Sequence, residues 1–450
     1  MYDTAFSPGL AFNCYRHRYL LRIIQLFVAL NMIVVNSVFS QNQDTLIESL
    51  VVDFEIRPRA EYLNHYKMQP ADDVAAEFYV SQRNRLGITY RRRAVKLHAA
   101  LQEIHLWGKS GKPSSIGSIN AYELYLETQI TKKMSVKIGR QGLSLDNGRI
   151  FSDAPWSQQG RSHEGIRLFY NQEKVATDFT VAATRQYPNQ YEAAYSPVAS
   201  HRYQLLLVHH LKYKINEHYT LTTINFADVF ENKNNSGQPY FGINNGARLE
   251  YRDSNFYWTL NAYYQYGKNS GLKKISAYYI QPEISATFNK TTFRLGAEIM
   301  SGESAPDDHV SRSFGILYGV AWKFMGNMNF FTRFPADVNN SGLVNPYLFV
   351  LYKAGKKLSF RADSHLFYTQ YPLRNDNNEK AARYLGFEND LSLNYKPVKN
   401  VNINFGFSYL IAEKSMELLK KIEDTNNTPM WSYLMVSFNP EIFHYKKMKK

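Results

Sequence analysis

The feature that most constrains the fold is a strict alternation of apolar and charged residues. In residues 52–59 one face is apolar and the opposite face is entirely charged. Because successive side chains of a β-strand point to opposite faces, this pattern predicts a strand with two contrasting surfaces. A soluble sandwich would bury the apolar face, whereas a transmembrane barrel turns it to lipid and keeps the charged face in a wet lumen. One strand does not decide between these folds.

Similar segments recur from about residue 51 to about residue 443, and about 18 strands (16–20) are predicted. Two of them, 314–324 and 327–334, are rich in Phe. Residues 412–421 have apolar residues at helical spacing and predict a short helix in the last long loop.

The connections alternate in length. Residues 171–174 and 397–400 read as short polar turns, and residues 186–201 and 372–383 read as long loops. Short turns on one rim and long loops on the other are typical of outer-membrane barrels. A closed barrel also leaves no strand edge unpaired in lipid. The sequence therefore predicts an all-β, closed antiparallel transmembrane barrel with short periplasmic turns and long extracellular loops.

The first 40 residues differ from the rest. Three Arg residues precede a mainly apolar run, and small residues at 38 and 40 complete the layout of a secretory signal peptide. The alternative is a single membrane helix, but the run is shorter than the ~20 residues that such a helix needs. We predict cleavage after residue 40 and one barrel domain over 41–450. The single Cys, Cys14, lies in the cleaved part, so thiol catalysis and Cys-based metal sites are excluded from the mature chain.

A long segment between two short strand patterns dominates residues 136–170. It carries charges of both signs together with Trp, Phe, Ile and Leu, a composition that does not favour disorder. Loops of this length are usually functional or disordered. The charges are those expected of a polar network folded over a pore or groove. A solvated surface loop accounts for the composition equally well, so composition leaves both interpretations open.

Three motifs in this stretch carry a resemblance. They are Gly139-Arg140-Gln141, Asp146-Asn147-Gly148-Arg149 and Trp156-Ser157-Gln158-Gln159-Gly160-Arg161-Ser162. Together with the Arg-bearing strand that follows, they resemble the alginate export family of outer-membrane barrels, in the form common in Bacteroidetes-type outer membranes. The segment 413–419 and Trp431 are also similar to that branch. The resemblance implies an 18-stranded barrel and, in the best-known branch, outward passage of an anionic polyuronate through an Arg-lined constriction.

The motifs implicate Arg140, Arg149 and Arg161, with Asp146 and Asp153 as partners. Alternation adds Arg residues to the lumen face, where their planar guanidinium groups would bind carboxylates in a bidentate manner. Alternatively, these Arg residues pair with carboxylates on neighbouring strands and brace the wall. The predicted solute-binding or pore-lining set is Arg140, Arg149, Arg161, Arg167, Asp146, Asp153, Trp156, Arg57, Arg59, Arg85, Arg248, Arg294 and Arg361.

Other classes of function find little support. The adjacent His209 and His210 would point to opposite faces of a strand, and no metal site or cofactor is predicted. Hydrolase, zincin and phosphate-loop motifs are absent from the sequence. The formal charge of +14, about +12 after cleavage, comes from Arg residues interleaved within strands rather than from a basic arm, which argues against nucleic acid. No enzymatic activity is predicted, and a barrel enzyme acting on lipid is the weakest alternative.

The sequence therefore predicts a Gram-negative outer-membrane channel for passive passage of an anionic polysaccharide or related anionic solute. The alternative is a non-conducting barrel that serves as a surface receptor or adhesin through its long loops. The expected partners are the anionic saccharide and the lipids and lipopolysaccharide of the outer membrane. The function is also compatible with periplasmic proteins that deliver the cargo. The solute and the direction of flow are not determined by the sequence.

Overall fold

The computed structural model describes residues 46–67, 75–108, 119–184, 203–230, 239–305, 309–316, 318–320, 323–375, 377–421 and 428–448. The chain divides into residues 1–43 and residues 44–450, and all described residues belong to the second unit. The predicted signal peptide and the predicted loop 186–201 lie outside the described residues, so the cleavage site stays a prediction.

The described part of the second unit is a closed antiparallel barrel of 18 wall strands, which confirms the predicted fold. The strands are β1 (Leu46–Asn64), β2 (Glu77–Arg92), β3 (Val95–Leu106), β4 (Asn120–Gln129), β5 (Met134–Gln141), β6 (His163–Asn171), β7 (Val175–Ala183), β8 (Leu205–Lys214), β9 (Tyr219–Phe230), β10 (Tyr240–Arg252), β11 (Phe256–Lys268), β12 (Lys274–Phe288), β13 (Thr291–Met300), β14 (Val310–Ser311), β15 (Leu343–Lys353), β16 (Leu358–Thr369), β17 (Tyr384–Tyr395), β18 (Val401–Ala412), β19 (Met430–Phe438) and β20 (Glu441–Met448).

Two of these elements do not add a wall position. The two-residue β14 pairs in parallel with the start of β12. Strands β19 and β20 follow one another along the same neighbour, because β1 pairs with β19 through Ile56–Asn64 and with β20 through Leu46–Asp53. The other side of β1 pairs with β2, so β1 closes the barrel. The periplasmic rim carries the short turns and both ends of the wall.

The outer face is a continuous apolar surface. Ile284 on β12 lies directly opposite Trp258 on β11 and Leu295 on β13. Ile284 is 50% exposed and Leu295 is 53% exposed, so the protein itself leaves these side chains uncovered. Such a surface is stable where lipid covers it. The alternation in the sequence thus marks the lipid-facing side of a transmembrane barrel rather than the core of a sandwich.

The hydrophobic core lies inside the barrel, where two segments fold inward and pack against the inner face of the wall. The first inner segment comprises residues 142–162, and the second comprises the described residues between 301 and 342, with a 3-10 helix at Ala336–Val338. Phe151 of the first stacks on Tyr318 of the second, with ring centroids 5.0 Å apart, and Phe226 of β9 meets both rings edge-on.

The second inner segment corrects the sequence-based prediction. Residues 314–324 and 327–334 were predicted as wall strands, and that prediction is wrong for the described residues: no wall strand is found there. Their aromatic residues, among them Phe314, Phe330 and Phe331, pack inside the barrel and are almost completely buried. An aromatic run fits a pleated lipid-facing surface and an internal core equally well, so residue type alone misassigned it.

The predicted short helix is confirmed as α1 (Lys414–Lys420). Its last residue reaches the second inner segment, because Lys420 Nζ donates to the carbonyl oxygens of Phe330 at 2.7 Å and Asp337 at 3.2 Å. In the described part of the chain, no helix combines the length and the apolar character needed to cross a membrane.

Candidate functional site

The first inner segment is fixed to the wall by charged and polar side chains at several points. Near its start, Asp146 adopts a left-handed backbone conformation (φ 50°) and its carboxylate is clamped between two strands. His210 Nε2 of β8 is 3.0 Å from Asp146 Oδ1, and Thr222 Oγ1 of β9 donates to Oδ2 at 2.8 Å. Asp146 therefore positions the segment against β8 and β9.

Arg149 provides the second anchor. Only 1% of this residue is exposed, and its Nη2 donates to Glu298 Oε2 of β13 at 2.6 Å. Its Nη1 donates to the carbonyl oxygen of Val320 at 2.9 Å, which ties the two inner segments together. Tyr279 completes the cluster by donating to Glu298 Oε1 at 2.6 Å. Arg149 lies inside the protein rather than on the surface of a passage, which corrects the expectation that it lines the pore.

Arg161 is the third anchor, and it also joins the two inner segments. Its Nη1 donates to the carbonyl oxygens of Gly319 at 3.1 Å and Ser152 at 3.5 Å, and also to that of Tyr318. Burial lowers the pKa of Arg161. Asp153 contributes through its backbone, since its carbonyl oxygen accepts the N–H of Arg161 at 2.7 Å. The structure therefore gives Arg161 and the Asp153 backbone contacts that hold the segment in shape.

The stretch 155–159 of the first inner segment rests on Arg residues of β1 and β2. Arg57 Nη1 donates to the carbonyl oxygen of Pro155 at 2.8 Å, and its Nη2 donates to that of Ser157 at 2.7 Å. Arg83, which lies directly opposite Arg57 in the sheet register, donates to the same Ser157 carbonyl at 3.0 Å. Its Nη2 also binds Glu55 at 2.7 Å. Two like charges opposite one another are thus held apart by a carboxylate and by backbone carbonyls.

Two further predicted residues border this stretch. Arg59 pairs with Glu61 at 2.8 Å and lies over the indole ring of Trp156, 5.4 Å from its centroid. Trp156 packs edge-on against Tyr433, with centroids 4.8 Å apart. Arg85 donates to Gln102 at 2.6 Å and stacks on a neighbouring tyrosine ring at 3.6 Å. Trp156, Arg59 and Arg85 therefore face the barrel interior.

Arg140 does not. In the register of β4 and β5 it lies directly opposite Leu124, and its neighbour Ile138 lies opposite Leu126. Leu124, Leu126 and Ile138 are exposed on the outer face, so Arg140 shares that face. It pairs there with Glu164 of β6 at 2.8 Å. The motif placed Arg140 in the lumen, whereas the strict alternation of the strand places it outside.

Three further predicted residues, Arg167, Arg248 and Arg361, lie on the inner face of the barrel wall, in the half that carries the short turns. Arg167 forms a bidentate pair with Asp178 at 2.8 and 3.0 Å. Arg361 pairs with Asp363 at 2.6 Å. Arg248 donates to Glu250 at 2.7 Å and is also bonded to Tyr257 and Thr259. These pairs match the bracing role that the sequence left open.

On the short-turn side of the inner segments, part of the lumen forms a polar chamber of about 450 Å³, here called the vestibule. Its charged lining residues are Arg248, Arg252, Arg294, Lys323, Lys353, Asp253 and Glu283. Lys323 comes from the second inner segment and donates to the carbonyl oxygen of Asn147 at 2.8 Å. Burial, and then the positive charges of Arg294 and Arg361, lower the pKa of Lys323. The vestibule is therefore lined by more basic than acidic side chains.

Sequence reasoning missed three of these residues. Arg83 has the same parity on β2 as Arg85, so alternation would have found it had the strand been extended toward its true start at Glu77. Alternation along β13 puts Glu298 on the inner face, but nothing in the sequence pairs it with a residue 149 positions away. Lys323 lies in a stretch taken for wall. Among the described residues, no group of three or more His, Asp, Glu or Cys side chains is arranged to hold a metal ion.

A closed 18-strand barrel with an apolar outer face and inner segments in its lumen is the fold of an outer-membrane channel. Solved porins share it. The chain is similar to OccK3 (OpdO) of Pseudomonas aeruginosa, with a TM-score of 0.58 and 11% identity over 87% of this chain and 96% of that one. It is similar to OccAB4 of Acinetobacter baumannii, with a TM-score of 0.58 and 13% identity over 90% and 100%. For OprD of Pseudomonas aeruginosa the TM-score is 0.57, with 13% identity over 89% and 97%.

The profile of the alginate export family matches residues 52–412, and the chain belongs to that family. No curated protein matches the sequence. At these identities the solved porins show the fold alone. Family and fold together place the protein in the outer membrane of a Gram-negative cell, and they are those of transport barrels rather than of enzymes.

Proposed function

We propose that this barrel conducts an anionic saccharide, such as a polyuronate, or a related anionic solute passively across the outer membrane. The observation that carries the proposal is the charge of the vestibule. Five basic residues and two acidic residues line it. A cleft lined by one sign of charge between low-dielectric walls raises the local concentration of counter-ions and speeds their entry.

Not all of these basic residues are available to a solute. Arg248 is engaged by three side chains of the wall and braces it. Arg252 is paired at 3.5 Å and is 64% exposed, and Arg294 is paired at 3.4 Å and is 39% exposed. Charge-assisted hydrogen bonds of full strength are shorter, at about 2.7–2.9 Å. Arg252 and Arg294 therefore have capacity for a carboxylate of a passing solute.

The polyuronate class rests on two independent supports. A guanidinium group matches a carboxylate in a bidentate manner, and each residue of a polyuronate carries one carboxylate. The family to which the chain belongs is described as alginate export. We therefore expect the vestibule to select a carboxylated sugar chain. We expect Arg252 and Arg294 to bind this chain weakly enough to release it.

The test is ion selectivity in planar bilayers across a salt gradient. Arg294→Glu changes the vestibule charge by two units and should shift the reversal potential toward cations and weaken block by an added oligouronate. Arg374→Glu makes the same charge change in an exposed loop, where Arg374 donates to the carbonyl oxygen of Asn378, and should leave the reversal potential unchanged. A wild-type current that prefers cations would overturn the proposal. An undetectable wild-type current would favour the receptor or adhesin alternative.

A further inference from the structure

Two cavities lie on opposite sides of the stretch 155–159. The cavity nearer the short-turn rim, about 1110 Å³, is lined by Glu55, Arg57, Arg83, Pro155 and Trp156 and by the turn around residues 396–402. The cavity nearer the long-loop rim, about 350 Å³, is lined by Ser157, Gln158 and Gln159 and by the upper parts of β1, β2 and β3. Five residues of one loop thus separate two spaces along the same wall.

We propose that the solute passes along the β1–β3 wall between these two cavities, and that residues 155–159 are a gate released when a carboxylate takes their place on Arg57 and Arg83. This inference rests on the proposed function and adds to it a route and an opening step. The name latch is used below for the contacts of Arg57 and Arg83 with residues 155–159.

The latch uses acceptors that a carboxylate can replace. The carbonyl oxygens of Pro155 and Ser157 are neutral, whereas an ionised acceptor forms hydrogen bonds with a guanidinium group that are roughly twice as strong. Around the latch, Arg57, Arg59 and Arg83 form ion pairs with two carboxylates, those of Glu55 and Glu61. A fourth guanidinium, that of Arg85, donates to Gln102 at 2.6 Å, and its Nη2 is buried without a hydrogen-bond partner in the described structure. An anion entering here meets an excess of donors.

The backbone on either side of the stretch supports a hinge. Ala154 has φ 48° and Gly160 has φ 68°, so both flanking residues lie in the left-handed region. A residue with a Cβ atom adopts that conformation at an energetic cost, and Ala154 keeps it only while surrounding contacts over-determine it. Loss of the latch would remove part of that support and let the stretch move as a unit.

Packing energetics favour this route over the rest of the lumen. Opening the opposite side would separate Phe151, Tyr318 and Phe331, which are almost completely buried. Fully burying one large apolar side chain contributes roughly 1.5–3 kcal/mol, so moving several of them is costly. The stretch 155–159 contains one large apolar side chain, Trp156, which is only partly buried. The polar contacts of residues 155–159 with the wall should therefore break more easily than the aromatic packing on the opposite side of the lumen.

The first experiment measures whether a uronate moves the stretch. In a chain whose mature part has no native Cys, Ser157→Cys is labelled with a charged thiol reagent from the short-turn side. An oligouronate should increase the labelling rate at least about tenfold, since one charge-assisted contact is worth roughly 1.5–3 kcal/mol. A neutral oligosaccharide of the same length should not. Lys380→Cys in the exposed loop 370–383 is the control, and its rate should stay constant with either sugar.

The second experiment weakens the latch itself. Arg83→Gln should raise the basal conductance without uronate at least about tenfold. Arg374→Gln removes another Arg that donates to a backbone carbonyl and should change nothing. Because Arg83→Gln leaves Glu55 with only the longer contact to Arg57 at 3.9 Å, the single variant can fail to assemble. The double variant Glu55→Gln/Arg83→Gln removes the carboxylate together with its main partner and should show the same rise.

The outcomes separate the two proposals. If the wild-type current prefers anions and is blocked by uronate, but uronate leaves Ser157→Cys labelling unchanged and the double variant conducts like wild type, the gate is refuted and the proposed function stands. If the wild type lacks anion preference, the proposed function fails and the gate falls with it. Faster labelling with uronate together with a raised basal conductance supports both.

Discussion

Arg149→Met should destabilise the inner segments strongly, because it removes one partner of a buried ion pair. Arg149 and Glu298 have side chains that are 1% and 0% exposed, and their charged groups are 2.6 Å apart. Met keeps most of the side-chain volume of Arg but cannot donate. The carboxylate of Glu298 then keeps the hydroxyl of Tyr279 at 2.6 Å but loses its cation.

The expected magnitude is about 3–5 kcal/mol, the usual cost of leaving one charge of a buried pair uncompensated. The loss also frees the carbonyl oxygen of Val320, to which Arg149 donates at 2.9 Å. The barrel wall keeps its strand pairing, so the effect should appear as local opening of the inner segments. Since about 1.4 kcal/mol is a factor of ten, the opening equilibrium should rise by roughly two to four orders of magnitude.

Native-state hydrogen exchange measures this directly. The amides of Gly148, Ser152 and Val320 form hydrogen bonds within and between the inner segments. Their exchange should accelerate by roughly two to four orders of magnitude in the variant, whereas amides of the wall should keep their rates. The double variant Arg149→Met/Glu298→Met removes both charges and should recover most of the protection, because apolar replacement of a buried pair is often neutral.

The result that contradicts this reasoning has two forms. Exchange within threefold of wild type in Arg149→Met would mean that the pair does not hold the segment. A double variant as destabilised as the single one would mean that the loss reflects packing rather than an uncompensated charge. If Arg149 instead met the solute, the single variant would change ion selectivity at unchanged exchange.

The remaining predictions concern topology, the lipid face and pH. Epitope tags in residues 377–383 should be reachable on intact cells and tags in residues 397–400 should not, since the short turns lie at the periplasmic rim; the reverse labelling would invert the orientation. Leu260→Arg should cost roughly 2–4 kcal/mol in unfolding free energy at the bilayer midplane, whereas Thr287→Arg, in the vestibule, should be tolerated; equal losses would disprove the register. Burial lowers the pKa of Lys420 to about 8. Between pH 8 and about 10, the folded state therefore binds fewer protons than the unfolded state. The contact of α1 with the second inner segment should therefore become more stable as the pH rises over this range. The measurement is the protection of the α1 amides relative to their intrinsic, base-catalysed exchange rate at each pH. Protection should rise over this range in the wild type and should not change with pH in the control Lys420→Met.

Much of the wall follows from local pattern. Residues 52–59 alternate strictly, and in the structure they form part of β1 with the predicted faces. The short turns and α1 also lie where the sequence predicts them. Side-chain direction in a strand depends on the backbone alone, so a period of two carries over into three dimensions.

The same rule also exposed a wrong placement. Alternation puts Arg140 outside with Ile138, although the motif had placed it in the lumen. Alternation likewise puts Asn261 on the inner face, but whether an inner-face residue meets water depends on what covers it. Asn261 is almost fully buried and donates to Gln281 at 3.0 Å, so a charge there would not be solvated.

The sequence by itself determined the barrel and its outer face, because these depend on the spacing of apolar and polar residues along one strand at a time. The tertiary structure decided which Arg residues brace the protein and which remain available, because their partners lie far away in the chain. Arg149 meets a carboxylate 149 residues distant, and Arg57 meets carbonyl oxygens about 100 residues distant. The tertiary structure also decided that the described residues between 314 and 334 pack inside the barrel rather than extend the wall. An apolar run is stabilised equally by lipid outside and by a core inside, and only the closure of 18 strands around an interior space selects between them.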